Sequence, residues 1–259
     1  YPFFIIPGLV PLKLHLDKSY ALAAKRPNQK FSAISIDKTV YSLRYHQDYL
    51  IFGGLSHNLV DKLDFLKEEN QLINYYQSHF NQNPDYVWQT HDLMTHDYLP
   101  LIGMVSYKHP TLLMACGFNK WGMTNGTIAG QVLADLIMNK PNRYANLFSP
   151  MRGYNLEKTL NFIVNNFKIA KAFITTKLSK NKPFYQGAFV TNIDGQMCGV
   201  YIDENKKRHI VRNTCPHFKC SLIFNNADKT WDCPCHGSRF DIDGNLIEGP
   251  SVFSIKIGK

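Results

Sequence analysis

The stretch from Thr214 to Pro250, TCPHFKCSLIFNNADKTWDCPCHGSRFDIDGNLIEGP, restricts this chain more than any other. It holds two short loops crowded with metal-ligating side chains. The first is Cys215-Pro216-His217 with Cys220 close behind; the second is Cys233-Pro234-Cys235-His236, followed by Gly237 and Ser238. Fifteen residues lie between His217 and Cys233, enough for a β-excursion that returns the second loop to the side of the first. Thiolates are soft, strong donors suited to zinc and iron–sulfur clusters, and imidazoles bind either metal. Two Cys and two His in a C-x-H…C-x-x-H pattern can hold one zinc tetrahedrally. They can equally hold a [2Fe–2S] cluster, with two thiolates on one iron and two imidazoles on the other. Cys220 and Cys235 occupy matching places in the two loops, and a single zinc has no use for them.

These loops, the second Cys pair, Ser238 and the Gly249-Pro250 step closely resemble the Rieske family. The resemblance implies that Cys215 and Cys233 ligate the buried iron of a [2Fe–2S] cluster, and that His217 and His236 ligate the outer one. It implies a Cys220–Cys235 disulfide, as in the cytochrome bc-type branch. The oxygenase branch usually lacks that pair, which argues against a ring-hydroxylating role. Ser238 matches the serine that donates to a bridging sulfide in high-potential members. Phe240 stands where those members carry a tyrosine whose hydroxyl bonds a cysteine sulfur. One donor fewer leaves the reduced cluster less stabilised, so the expected potential lies in the middle of the roughly −150 to +300 mV Rieske range.

At 259 residues the chain accommodates one large domain or two modest ones. Hydrophobic residues make up 44% and aromatics 13%, which indicates a folded core. The net charge of +9 reads as lysine spread over a surface. Its Lys and Arg form no dense blocks interleaved with aromatics, so no nucleic-acid partner is expected. Cys116 and Cys198 are isolated in apolar sequence and read as core residues. No signal peptide is visible, and no apolar run approaches the roughly 20 residues that cross a bilayer. The expectation is a cytoplasmic protein that is not transmembrane, with peripheral membrane contact left open.

The first part reads as β-rich, with strands at FFII, YALAAK, FSAISI, TVYSLRYH and YLIFGG. Residues 58–81 read as a helix, with Leu59, Leu63, Leu66, Ile73, Tyr76 and Phe80 at helical spacings and Asn83-Pro84 as the stop. A strand, TLLMACGF, leads through Gly117-Phe118…Trp121-Gly122-Met123-Thr124 into a helix over Thr127 to Met138. A Gly-bearing turn between a buried strand and a helix aims backbone N–H groups and the positive helix end at a ligand. On its own that is equally an ordinary strand–helix turn.

Asp97…Pro100-Leu-Ile-Gly103, the Gly117–Thr124 turn, Tyr41-Ser-Leu-Arg44…Gly53-Gly54 and Asn142…Tyr144…Phe148-Ser-Pro150…Arg152 resemble the C-terminal half of D-amino-acid-oxidase-like flavoproteins. The resemblance implies FAD, with Gly53, Gly54, Gly103, Gly117, Phe118, Gly122, Met123 and Thr124 as candidate contacts. Gly122, Met123 and Thr124 would lie over the flavin pyrimidine ring. Relatives that oxidise secondary amines often carry a lysine where this chain has Thr124. The G-x-G-x-x-G fingerprint that binds the FAD pyrophosphate occurs nowhere here, and the chain opens without Met. The expectation is a chain without its dinucleotide-binding half, binding FAD weakly or not at all alone.

The expected fold is α+β. Residues 1–153 form a partial flavoprotein domain of mixed sheet and helices, 154–177 a helical connector, and 178–259 a small antiparallel β Rieske domain. Along the connector Leu156, Leu160, Ile163, Phe167, Ala170 and Ile174 form one stripe, read as the face packed across the flavoprotein domain. Residues 177–183 read as a polar linker. His91 and His96 read as hydrogen-bonding histidines and Asp97 as a cap before Pro100; no catalytic residue is assigned.

The expected function is redox. FAD-linked oxidation of a small substrate, an amine or amino acid, would feed electrons one at a time through the cluster to a redox protein or quinone-like acceptor. Two other readings compete: an electron-carrier module without substrate chemistry, and a structural zinc domain. Metal content separates the second, and flavin content with substrate-dependent bleaching separates the first.

Overall fold

The computed structural model describes residues 7–27, 29, 31–36, 38–61, 64–153, 156–178, 183–185 and 187–257. The expected FFII strand, Leu63 and linker residues 179–182 lie outside the described residues. The chain folds into two compact units, each assembled from two stretches: Tyr1–Leu16 with Asp92–Thr175, and Asp17–His91 with Thr176–Lys259.

Strand β1 (Leu14–Lys25) has the two-residue period of a half-buried strand, with Leu14, Leu16, Lys18, Tyr20, Leu22 and Ala24 all buried. It joins β2 (Ser32–Ile34), β3 (Ser42–His46), β4 (Tyr49–Asn58) and β5 (Tyr86–Thr95) in a sheet of order β2-β3-β4-β1-β5. The antiparallel register sets Tyr20 opposite Gly54 and Leu22 opposite Phe52. Helix α1 (Phe65–Phe80) begins later than its periodicity suggests, because β4 runs through Asn58. Its start is set by Asp64, whose carboxylate accepts the Lys67 N–H at 3.2 Å. Leu72 and Tyr76 on its inner face pack with Tyr20, Leu22, Ala24, Leu50 and Phe52 into the core of the sheet.

The first unit contains the hairpin β6 (Leu101–Ser106) and β7 (His109–Cys116), then α2 (Gly122–Ile137), α3 (Ala145–Phe148) and α4 (Leu156–Leu178). Helix α2 starts at Gly122 rather than Thr127, so the expected turn is its first turn. Ile102, Ala129, Val132 and Phe148 form a core there. Arg152 clips this unit together. Its guanidinium donates to both carboxylate oxygens of Asp97 at 2.7 Å and to the carbonyls of Leu99 at 2.6 Å and Pro100 at 2.9 Å.

Helix α4 departs from expectation. The stripe read as its packed face is exposed, with Leu156 78%, Leu160 54%, Ile163 55%, Phe167 68% and Ile174 55% accessible. Some half-buried residues of the helix are polar or aromatic for a reason. Asn166 donates to the Leu12 carbonyl at 2.8 Å, Asn165 lies 3.1 Å from His96, and Phe162 meets the His96 ring edge-on.

After α4 come β8 (Pro183–Tyr185), β9 (Ala188–Ile193), β10 (Gln196–Ile202) and β11 (Arg208–Arg212), in an antiparallel sheet of order β11-β10-β9-β8. A second antiparallel sheet holds β12 (Ile223–Asn225), β13 (Thr230–Asp232), β14 (Arg239–Phe240) and β15 (Leu246–Glu248). The two sheets meet at Gly199, where a Cβ would lie 2.6 Å from the fully buried Trp231 ring. Tyr201 and Phe224 stack beside this point with centroids 4.7 Å apart. The closeness of the sheets therefore depends on the missing side chain at 199. The ligand loops project from this platform.

Candidate metal centre

The two loops are conformational twins. In the first, the Cys215 N–H donates to the Cys220 carbonyl at 2.8 Å and the Lys219 N–H to the Cys215 carbonyl at 3.0 Å. In the second, Cys233 donates to Ser238 at 2.8 Å and Gly237 to Cys233 at 2.9 Å, at the same offsets. Lys219 and Gly237, in matching places, both adopt left-handed backbone, with φ of 59° and 78°. Each loop also turns two N–H groups onto its leading sulfur: those of His217 and Phe218 onto Cys215, and those of Cys235 and His236 onto Cys233. Such a nest favours a thiolate, as a metal ligand must be.

The four expected ligands divide into two pairs. The thiols of Cys215 and Cys233 hydrogen-bond to each other, and both residues are buried. The hydrogen bond from Cys233, joined by the His217 and Phe218 N–H groups and the Ser238 hydroxyl, draws Cys215 down to about 7 against its burial. Cys233 moves up for the complementary reason, as donor in that bond and as a buried thiol. The His217 and His236 rings lie edge to face, with centroids 4.9 Å apart. Burial lowers both; His236 falls to about 4, with His217 as a second cause, so both imidazoles are neutral at physiological pH. Neutral imidazole is the form that binds metal. The rings are half-buried, and Phe218 beside them is 51% exposed. The donor set thus has a soft, buried sulfur end and an outward imidazole end. That polarity fits a [2Fe–2S] cluster with unlike irons.

Cys220 and Cys235 are joined by a disulfide with Cα atoms 6.7 Å apart, which ties the twin loops together. Cys233 has its sulfur within 4.8 Å of both of theirs. Ser238 is fully buried, and its hydroxyl accepts the Ser251 N–H at 2.9 Å while bonding Cys215. It thereby fixes the segment after Gly249-Pro250 against the loops. Phe240 is buried on the same sheet opposite Trp231.

The candidate flavin contacts fall in both units. Gly122, Met123 and Thr124 form the first turn of α2, where Met123 is 91% exposed and a Cβ on Gly122 would meet no described atom within 4 Å. Gly103, with φ 129°, is in β6; Gly117, with φ 68°, and Phe118 lead to α2, where Phe118 packs against the Ile102 core. A Cβ on Gly117 would meet Thr95 at 2.5 Å, so its glycine serves packing. Gly53 and Gly54 lie in β4 of the other unit, and a Cβ on Gly54 would meet the Tyr41 ring at 2.5 Å. His96 lies 3.0 Å from the Leu12 carbonyl.

One group of residues escaped the sequence reading. Lys18, fully buried on β1, lies 3.5 Å from the equally buried Asp232, the neighbour of Cys233. Its signal was available: in Leu14-x-Leu16-x-Lys18-x-Tyr20-x-Leu22 a lysine falls on the apolar phase of a strand. Such a residue is almost never fully buried unless paired.

Residues 5–136, just over half of the chain, match the family described as FAD dependent oxidoreductase, and residues 175–257 match the Rieske [2Fe-2S] domain. A Bacillus subtilis protein named as a Rieske 2Fe-2S iron-sulfur protein, YhfW, is 34% identical over 271 aligned positions, spanning 99% of this chain and 53% of that protein. The chain thus covers about half the length of this relative. The cytochrome b6-f complex iron-sulfur subunit 3 of Nostoc is 40% identical over 45 residues, 17% of this chain and 25% of its own. Among solved structures, glycine oxidase from Geobacillus kaustophilus is 16% identical, with a TM-score of 0.47, over 55% of this chain and 40% of its own. The chain belongs to the FAD dependent oxidoreductase family and carries a Rieske [2Fe-2S] domain in its C-terminal part.

Proposed function

We propose that this chain works in a flavin-linked oxidation of a small amine or amino acid and delivers the electrons singly through a Rieske cluster to a redox protein or quinone-like acceptor. The observation that carries the reading is the pair of twin loops, with Cys215 and Cys233 meeting at the sulfur end and His217 and His236 at the outward end. Bound there, a [2Fe–2S] cluster supplies reversible one-electron chemistry. The protein's residues do the rest. The buried thiols exclude water, the nested N–H groups and the Ser238 hydroxyl stabilise negative charge on sulfur, and the disulfide holds the loops together. The half-buried imidazoles and exposed Phe218 form the edge offered to an acceptor.

On the flavoprotein side, the amides of Gly122, Met123 and Thr124 at the positive end of α2 are proposed FAD contacts, as are Gly103, Gly117, Phe118, Gly53 and Gly54. No helix among the described residues is long and apolar enough to cross a membrane. We place the protein in the cytoplasm.

The test is an EPR spectrum of the anaerobically purified, dithionite-reduced chain, with iron and zinc counted on the same sample. A rhombic signal of low average g and two irons per chain supports the reading. One zinc and no signal reassign residues 215–236 as a structural site. Substrate-dependent bleaching of bound flavin tests the amine assignment separately.

A further inference from the structure

The strongest unexplained feature is a polar network within the second unit, fully buried at its Lys18–Asp232 centre and shared by residues of the FAD dependent oxidoreductase segment and of the Rieske segment. Lys18 is at its centre. Its ammonium lies 3.5 Å from Asp232 Oδ2, 3.4 Å from His91 Nε2 and 5.0 Å from the centroid of the Phe65 ring. Both Lys18 and Asp232 side chains are 0% exposed. Asp232 also accepts from Asn225 at 3.0 Å, Thr230 at 2.7 Å and Arg239 at 3.4 Å. Asn225 donates to Gln89 at 3.1 Å, Gln89 donates to Glu69 at 3.0 Å, and Asn226 accepts the Leu66 N–H at 3.2 Å.

A buried ion pair is expensive to make and is weak evidence for stability in itself. This one has a particular location. Asp232 ends β13, and the next residue is Cys233, whose N–H closes the second ligand loop onto Ser238. The carboxylate is thus a buried negative charge built into the base of that loop. Lys18 and Arg239 are the cations beside it, and Arg239 is shared with Asp228 and Glu248. His91 adds no charge, because burial, and then the nearby Lys18, keep its imidazole neutral down to about pH 3.

We infer that Lys18 is a positioning residue for the metal centre: from the flavoprotein sheet it docks the Rieske segment and neutralises Asp232, which sets the electrostatic potential at Cys233. This inference rests on the Rieske reading of residues 215–236. Reduction adds one electron to the centre, so a cation withdrawn nearby makes reduction harder and an anion withdrawn makes it easier. The coupling runs between fully buried side chains, where a low dielectric gives one charge its largest effect.

The experiment is an anaerobic redox titration of the intact chain, followed by the EPR signal, on wild type, Lys18→Met, Asp232→Asn and the double variant. Lys18→Met should lower the equilibrium constant for reduction about tenfold, which for one electron is about 59 mV. Asp232→Asn should raise it, and the double variant should return to within about twofold of wild type. Lys18→Arg keeps the charge and should stay within about twofold, which also covers the case that Lys18→Met fails to fold. A wild-type potential in Lys18→Met, with its rhombic signal intact, overturns the inference and leaves the Rieske reading standing. So would Lys18→Arg shifting the potential as far as Lys18→Met does. Absence of the signal in wild type overturns the reading itself, and the inference with it.

Discussion

Two buried ion pairs, one in each compact unit, do different work. Asp97–Arg152 joins residues 55 positions apart, and Arg152 is tied as well to four backbone carbonyls of the same unit. Lys18–Asp232 joins residues 214 positions apart, from segments matching two different families. In the first pair the Asp97 carboxylate takes both side-chain bonds from Arg152, beside the Leu99 N–H at 3.2 Å and the charge of Lys158. In the second, the carboxylate keeps three other side-chain donors if the lysine is lost. The comparison teaches that how much a buried pair stabilises depends on what remains when one partner goes, and that what it signals depends on where the anion sits.

The largest expected effect follows from that difference. Arg152→Met removes both side-chain hydrogen bonds to the Asp97 carboxylate and should destabilise the chain by about 3–5 kcal/mol in urea unfolding. Lys18→Met should cost about 1–3 kcal/mol, since Asp232 retains Arg239, Asn225 and Thr230. If the two variants lose equal stability, the proposed distinction fails.

Acid should separate the two networks as well. His91 is pushed down from 6.5 to about 3, first by burial and then by Lys18 and Arg239, with Asp232 opposing. Because its folded value is depressed, its contribution to stability is complete above pH 6.5 and declines as pH falls toward 3. Burial pushes the Asp97 carboxyl up, but the Arg152 bonds outweigh it and hold it below 3.8. Its contribution is therefore complete above 3.8 and is lost only below that. The urea midpoint of wild type should fall between pH 6.5 and 4; His91→Leu should reduce that slope, with His96, His217 and His236, also held down by burial, supplying the rest, while Asp97→Asn leaves it unchanged.

The smallest effect concerns the aromatic roof over Lys18. Phe65→Leu keeps an apolar side chain but removes the ring face, at a cost of about 0.5–2 kcal/mol. A double-mutant cycle with Lys18→Met should assign that cost to the pair; additive losses would show that Phe65 acts by packing alone.

The ligand loops were legible because their chemistry is local: Cys215, His217, Cys233 and His236 carry their meaning in spacing and in the Pro and Gly beside them. Asp97 and Arg152 were legible as parts of short motifs, though not as partners. The stripe on α4 misled because periodicity reports which residues share a face and says nothing of what lies opposite. Here the other face, with Asn165 and Asn166, was needed to satisfy His96 and the Leu12 carbonyl, so the apolar stripe was left outside. The helix starts at Phe65 and Gly122 were set by a cap and a glycine turn that hydrophobic spacing does not register.

The donor set, the β-rich platform and the resemblance to two families were readable along the chain, because soft ligands at fixed offsets and strands of period two are properties of sequence neighbours. Only the tertiary structure decided that the two loops share one hydrogen-bond frame, that Gly199 yields its space to Trp231, and that a lysine on the apolar phase of β1 meets Asp232. A buried charge is stable only with its partner, and the partner here lies 214 residues away, where no local pattern reaches.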